Sequence, residues 1–173
     1  VYSNLGDWGK ALEYYNKALE IRKAVLGENH PDTAMSYNNI GLVYSNLGDW
    51  GKALEYYNKA WEIFEEVLGE KHPHTAISYN NIGVVYNNLK DYDKALEYYF
   101  KALEIRKAVL GEKHRDTAGS YNNIGIVYGK SGNHTKALEY FIKALKIYKA
   151  VLGESHPYTQ QALQGIAIAK QKL

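Results

Sequence analysis

The sequence predicts an all-α protein, an α-solenoid of stacked antiparallel helix pairs, on three observations. The chain repeats itself every 42 residues, each period carries two apolar stripes at helical spacing, and glycine, aspartate and proline punctuate the stripes at fixed places. At an offset of 42, Tyr2 aligns with Tyr44, Tyr86 and Tyr128, and Ala11 with Ala53, Ala95 and Ala137. Residues 1–42 and 43–84 differ at only eight positions, among them Leu19 against Trp61 and Arg22 against Phe64. A unit of this size cannot bury its apolar face alone, so copies must stack.

In the first complete unit the spacing predicts a helix A from Asp32 to Leu47, with Ala34, Tyr37, Ile40, Gly41 and Tyr44 on one stripe. Gly48 suits a left-handed C-terminal cap. Asp49 suits the N-cap of the next helix, its carboxylate accepting from free backbone N–H groups. Helix B follows from Trp50 to Leu68 and is expected to bury Ala53, Tyr57, Ala60, Ile63, Phe64 and Val67. Gly69 stops it, and Pro73 restarts the chain where its missing N–H does no harm. The same punctuation recurs at Gly27 and Pro31, at Gly111, and at Gly153 and Pro157, with Arg115 in the proline position of the third junction.

Nine helical segments are predicted: a truncated A helix over Val1 to Leu5, four B helices, three full A helices, and a last helix from Tyr158 to Lys172. They form a single domain over 1–173, divided into a partial unit 1–31, units 32–73, 74–115 and 116–157, and a capping helix 158–173. That cap should turn Leu163, Ile166 and Ala167 inward and glutamines and lysines outward. Gly41, Gly83 and Gly125 stand in mid-helix, where glycine costs roughly 1 kcal/mol against alanine. The cost implies a close helix crossing, with Ala53 and Ala60 as the expected shallow surface opposite.

Composition narrows the function classes. Twenty-one basic and 19 acidic residues, mixed along the chain, give a formal charge of +2 and no basic stripe for nucleic acid or a membrane surface. There is no cysteine. Disulfides, thiolate ligands and cysteine nucleophiles are thereby excluded, and a reducing, cytoplasmic setting is the expectation. No run of roughly 18 apolar residues is present to span a bilayer. The first residues read as the middle of a repeat, so the chain is expected to be a piece of a longer protein. No phosphate loop, HExxH pair or strained serine turn occurs, and neither an enzyme activity nor a cofactor is expected.

Tyr37, Ile40, Gly41 and Tyr44, followed by Ala53, Tyr57 and Ala60, resemble the signature of tetratricopeptide repeats, and the pattern returns at 79, 82, 83, 86, 95, 99 and 102 and at 121, 124, 125, 128, 137, 141 and 144. The long period, the Leu-Gly-Glu-x-His-Pro junction and the Asn-Asn pair before Ile-Gly resemble the 42-residue variant found in kinesin light chains. That resemblance implies a right-handed superhelix with A helices lining a concave groove, in which asparagines hold the backbone of an extended peptide.

The asparagine pairs Asn38 and Asn39, Asn80 and Asn81, and Asn122 and Asn123 are therefore the leading candidate site. An amide offers two donors and an acceptor, so it pairs with a peptide N–H and C=O without reading a side chain. Alternatively, one member of each pair bonds a neighbouring helix. Family geometry places Met35, Leu42, Ser45 and Asn46 beside the first pair, Ile77, Val84, Asn87 and Asn88 beside the second, and Gly119, Ile126, Gly129 and Lys130 beside the third. Leu42, Val84 and Ile126 are either apolar anchors for a peptide or ordinary packing residues. Alanine at Asn39, Asn81 and Asn123 is expected to spare the fold. The junction histidines His30, His72, His114 and His156 are expected to cap or pack at the start of helix A, since successive repeats stand too far apart for them to share a metal ion. His74 and His134 read as surface variation, and most tyrosines as packing residues of helix B. Glu13 with Lys17 and Glu55 with Lys59 should form i,i+4 pairs on a solvated face.

The expected function is a module that binds a protein or peptide, with no nucleic-acid or membrane partner. The alternatives are a structural spacer, an array that self-associates end to end through its truncated first repeat, or a regulatory arm of a larger signalling protein.

Overall fold

The computed structural model describes residues 7–173, which form eight α-helices and no strand. They are α1 (Trp8–Leu26), α2 (Pro31–Asn46), α3 (Trp50–Leu68), α4 (Pro73–Asn88), α5 (Tyr92–Leu110), α6 (Arg115–Lys130), α7 (His134–Leu152) and α8 (Pro157–Gln171). The even-numbered helices are the A helices and the odd-numbered ones the B helices. The ninth expected segment, Val1 to Leu5, lies outside the described residues. The chain divides into two compact units, Val1–Val85 and Tyr86–Leu173.

Each corner is closed by side chains the repeat supplies. Asp7, Asp49, Asp91 and Asn133 cap the B helices, each Oδ1 accepting from the backbone N–H three residues on, at 3.1–3.2 Å. At the other corner the glycine that ends helix B takes φ between +87° and +94°, a region open to glycine at little cost. Its carbonyl then accepts from a threonine six residues on: Thr33 to Gly27, Thr75 to Gly69, Thr117 to Gly111 and Thr159 to Gly153, at 2.7–2.9 Å. The junction histidine caps helix A. Nδ1 of His30, His72, His114 and His156 accepts from the N–H two residues on, at 3.1–3.2 Å. Because histidine is the cap, the A helices begin one residue earlier than expected, on Pro31, Pro73, Arg115 and Pro157.

In the first unit Leu19, Ala34, Tyr37, Ile40, Ala60, Ile63 and Phe64 form one core cluster. Val67, expected to be buried, is 47% exposed, because Leu68 takes the inward position at the end of α3. Gly41 and Gly125 each meet an aromatic ring set between the expected alanines. A Cβ on Gly41 would lie 2.8 Å from the Tyr57 ring, and one on Gly125 would lie 2.9 Å from Phe141. Burial pushes the Tyr57 phenol up to about 12, and the Ser45 hydroxyl bonded to it pulls the other way. Other tyrosines pair across a helix hairpin, as Tyr44 does on Tyr56 at 5.5 Å with Lys52 above it. The expected i,i+4 ion pairs are formed, Lys17 to Glu13 at 2.6 Å and Lys59 to Glu55 at 2.7 Å.

Alternate junctions use two chemistries. Arg22 donates from Nη1 to the Asp32 carbonyl and to Ser36 Oγ, and Arg106 does the same to Asp116 and Ser120. At the equivalent positions Phe64 stacks on His74 at 5.0 Å, and Tyr148 packs beside Tyr158. Losing the guanidinium strands the Ser78 hydroxyl, which is buried without a hydrogen bond, as is Nδ1 of the His74 side chain. In the last repeat alanine stands in the serine position, as Ala162. His74 is thus a half-buried packing residue, not surface variation.

Two predictions come from this packing. Gly41→Ala should lower stability by about 1–3 kcal/mol in urea melts, since overpacking outweighs the gain in helix propensity. Gly51→Ala, whose Cβ meets only Asp49 Oδ1 at 3.8 Å, should raise it by about 0.5 kcal/mol. Burial holds the His74 imidazole below its ordinary value of 6.5, with His72 adding to the effect and Asp32 opposing it. The unfolded chain takes up that proton first, so this contribution is complete above the unfolded value and is lost as pH falls below it. His74→Asp, which copies Asp32 and Asp116, should flatten the fall in melting temperature between about pH 7 and pH 5.

Candidate functional site

Each A helix turns one side to the core and leaves a second stripe open. On α2 that stripe runs through Met35, Asn39, Leu42 and Asn46. Met35 and Asn39 are half-buried, Leu42 is 49% exposed and Asn46 is exposed. On α4 the same positions hold Ile77, Asn81, Val84 and Asn88, with Ile77 and Asn88 exposed and the other two half-buried. On α6 they hold Gly119, Asn123, Ile126 and Lys130, of which only Lys130 is exposed. An i, i+4, i+7, i+11 spacing puts all four on one helix face.

The two members of each asparagine pair have different surroundings. Asn38 and Asn122 are buried, at 8% and 4% exposure, whereas Asn39, Asn81 and Asn123 are half-buried on the open stripe. Asn80 is half-buried too. Within the first unit Asn81 Nδ2 donates to Asn38 Oδ1 at 2.9 Å, tying α4 to α2 through the second asparagine of one repeat and the first of the repeat before. Asn46 turns its amide back to the Leu42 carbonyl at 2.8 Å, and in the second unit Lys130 Nζ donates to Asn87 Oδ1 at 3.2 Å. At Asn81 the geometry argues against the expectation that alanine spares the fold, because its amide donates to the buried Asn38.

Sequence reasoning missed the stripe of α8, although the 42-residue offset marks it. Gln161, Gly165, Ile168 and Lys172 stand 42 residues after Gly119, Asn123, Ile126 and Lys130. Of the expected inward set of α8, Ile166 packs against the cluster of Ala137, Phe141 and Ala169 and Leu163 is half-buried, but Ala167 is exposed, and Ala162 and Ala169 are the buried residues. Gly165 replaces the asparagine of the other repeats, and Asn122 Oδ1 is buried without a donor. His134 is half-buried and lines a cavity with residues of α6 and α8.

Asn39 and Asn81 make opposite predictions. Asn81→Ala should cost about 1–2 kcal/mol in denaturant melts by orphaning Asn38 Oδ1. Asn39→Ala removes no side-chain hydrogen bond seen among the described residues and should change stability by no more than about 0.5 kcal/mol.

A family model described as Tetratricopeptide repeat matches residues 1–66, 36–108, 75–149 and 116–173. No curated protein matches the sequence. Among solved structures, BtubC (BKLC) from P. vanneervenii superposes with a TM-score of 0.88 at 27% identity, covering 99% of this chain and 68% of that one. A putative kinesin light chain with nearly identical TPR-like repeats from Podospora anserina gives 0.81 at 21% identity, covering 99% and 81%. The apo form of RapI gives 0.84 at 24% identity, covering 99% of this chain and 60% of that one. The repeat, the corner chemistry and these matches agree that the chain belongs to the tetratricopeptide-repeat family, in the helical-hairpin fold its kinesin-light-chain-like members share.

Proposed function

We propose that this chain holds an extended segment of a partner protein against the open stripes of its A helices. The family supports the coarser level, since tetratricopeptide repeats serve as protein-interaction modules. One observation carries the finer level: α2 leaves Leu42 49% exposed one turn from the half-buried amide of Asn39, on a helix whose opposite side is core. An apolar side chain beside an amide is what main-chain recognition with apolar anchoring requires. On α4, exposed Ile77 lies one turn from Asn81. Asn38 and Asn122 support the stripe from beneath, and Asn39, Asn81, Leu42, Val84, Ile126, Asn46, Asn88 and Lys130 are the contact residues. Asn80 and Asn123 complete the site. Chemistry is left to other chains, in a cytoplasmic setting. No helix among the described residues is long and apolar enough to cross a membrane.

The test is a pull-down with the chain, peptide mapping of the retained protein, and calorimetric titration of the mapped segment. Leu42→Glu with Ile77→Glu should weaken that segment by at least about tenfold while the melts stay in place. Unchanged affinity would sink the reading.

A second reading, self-association through the first repeat, is favoured by one contrast. Ile21 on α1 is 64% exposed, whereas Ile63 and Ile105 at the same repeat position are 6% and 7% exposed. Concentration-dependent mass in sedimentation that is abolished by Ile21→Asp would establish it.

A further inference from the structure

The second unit contains a cavity of about 410 Å³ bounded by α6, α7 and α8, with Ile126, Gly129, Phe141, Gly165, Ile168 and Ala169 among its walls. Its origin is legible by comparing repeats. Ser45 hydrogen-bonds the Tyr57 phenol in the first unit, but at these positions the second unit has Gly129 and Phe141, so a side chain and the hydroxyl it served are both missing. Gly165 removes a third group where other A helices carry asparagine. That truncation also leaves the buried Asn122 Oδ1 without the donor that Asn81 supplies to Asn38. Restoring the side chain at 165 is blocked: a Cβ there would stand 2.8 Å from the Phe141 ring.

The cavity has a charged edge. Lys130 and Lys172 line it, at positions occupied by Asn46 and Asn88 in earlier repeats, together with the imidazole of His134. No lining residue is acidic, and among the described residues neither lysine forms an ion pair. Neighbouring A helices pack roughly 10 Å apart, so Lys130, whose Nζ donates to Asn87 Oδ1 at 3.2 Å, reaches an anion beside Lys172 by turning from that amide. The volume falls within the range of roughly 300–1,000 Å³ typical of small-molecule sites, and a mostly apolar wall with few polar groups is their usual lining.

We propose that this cavity is a site for a small amphipathic carboxylate, its apolar tail against Phe141, Ile126 and Ile168 and its carboxylate between Lys130 and Lys172. A free small molecule fits better than a peptide side chain. The truncations at Gly129, Phe141 and Gly165 make a recess confined to one repeat, whereas a peptide track needs the same contacts in each repeat. The site shares Ile126 and Lys130 with the proposed partner stripe, but the observations that carry the partner reading lie on α2 and α4, so either reading can fail alone.

The test uses octanoate, with acetate and octylamine as controls, titrated into the 15N-labelled chain and followed at the Gly129 and Gly165 amides by NMR. Octanoate should shift both saturably. Acetate lacks the tail and octylamine the negative charge, so neither should. Gly129→Asn with Lys130→Asn restores the Asn87 and Asn88 pair of the preceding repeat, and a Cβ at 129 makes only an ordinary 3.7 Å contact with Ala137. This variant should fold and lose octanoate by at least about tenfold. Lys172→Asn, an exposed change, should weaken it severalfold. Three results would overturn the site: no shift with octanoate, an equal response to octylamine, or undiminished binding in the double variant. So would a capped tripeptide with leucine between two glutamates that shifts both glycines when octanoate does not.

Discussion

The interaction on which the rest of the structure depends is the contact between a mid-helix glycine of α2 or α6 and an aromatic ring on the B helix that follows. Gly41 and Tyr57 set that distance in the first unit, and Gly125 and Phe141 set it in the second. A mid-helix glycine is costly in isolation, so its presence reports what the pair gains: two helix axes close enough for Ala34, Ile40 and Ala60 to be wholly buried. Once that spacing is set, the stripe one side carries to the core leaves the other side of the A helix open, and the candidate site is defined by what the core does not use.

Corner chemistry then holds the hairpins in register. The threonine hydroxyl on the glycine carbonyl and the histidine Nδ1 on the helix N-terminus recur in all four junctions, so they impose the same chain path whatever the helices carry. Between them the junctions alternate. Arginine with serine fills one kind of space by hydrogen bonding, and paired aromatic rings fill the other by area. The buried and unpartnered Ser78 hydroxyl shows an incomplete exchange, in which the arginine has gone and the serine that served it remains. The last repeat carries tyrosine with alanine, where both members have changed.

The asparagine pairs divide labour. In the first and third pairs the first member, Asn38 or Asn122, is buried while the second lies on the open stripe, and Asn81 of the middle pair reaches back to Asn38. A groove residue can thus be structural and available at once, because an amide that spends one donor keeps another and its acceptor. Where Gly165 interrupts this arrangement, the helices still pack, but a buried acceptor and a recess are left. Repetition makes such departures readable, since each is measured against copies of itself.

By itself the sequence determined the period, the helix boundaries to within a residue, the corner residues and most of the core, because these follow from local rules: apolar spacing, capping chemistry and glycine's access to positive φ. The A and B helices, Gly48, Asp49, Gly69 and the capping histidines were all legible that way. Only the tertiary structure decided which asparagine is buried, that the glycines meet tyrosine or phenylalanine and not alanine, that Val67 faces solvent, and that His74 stacks on Phe64. Apart from Val67, each of those depends on a residue about 10 to 43 positions away. Helical periodicity specifies a face to within a few tens of degrees, which separates core from solvent but not one neighbour's ring from the next neighbour's amide.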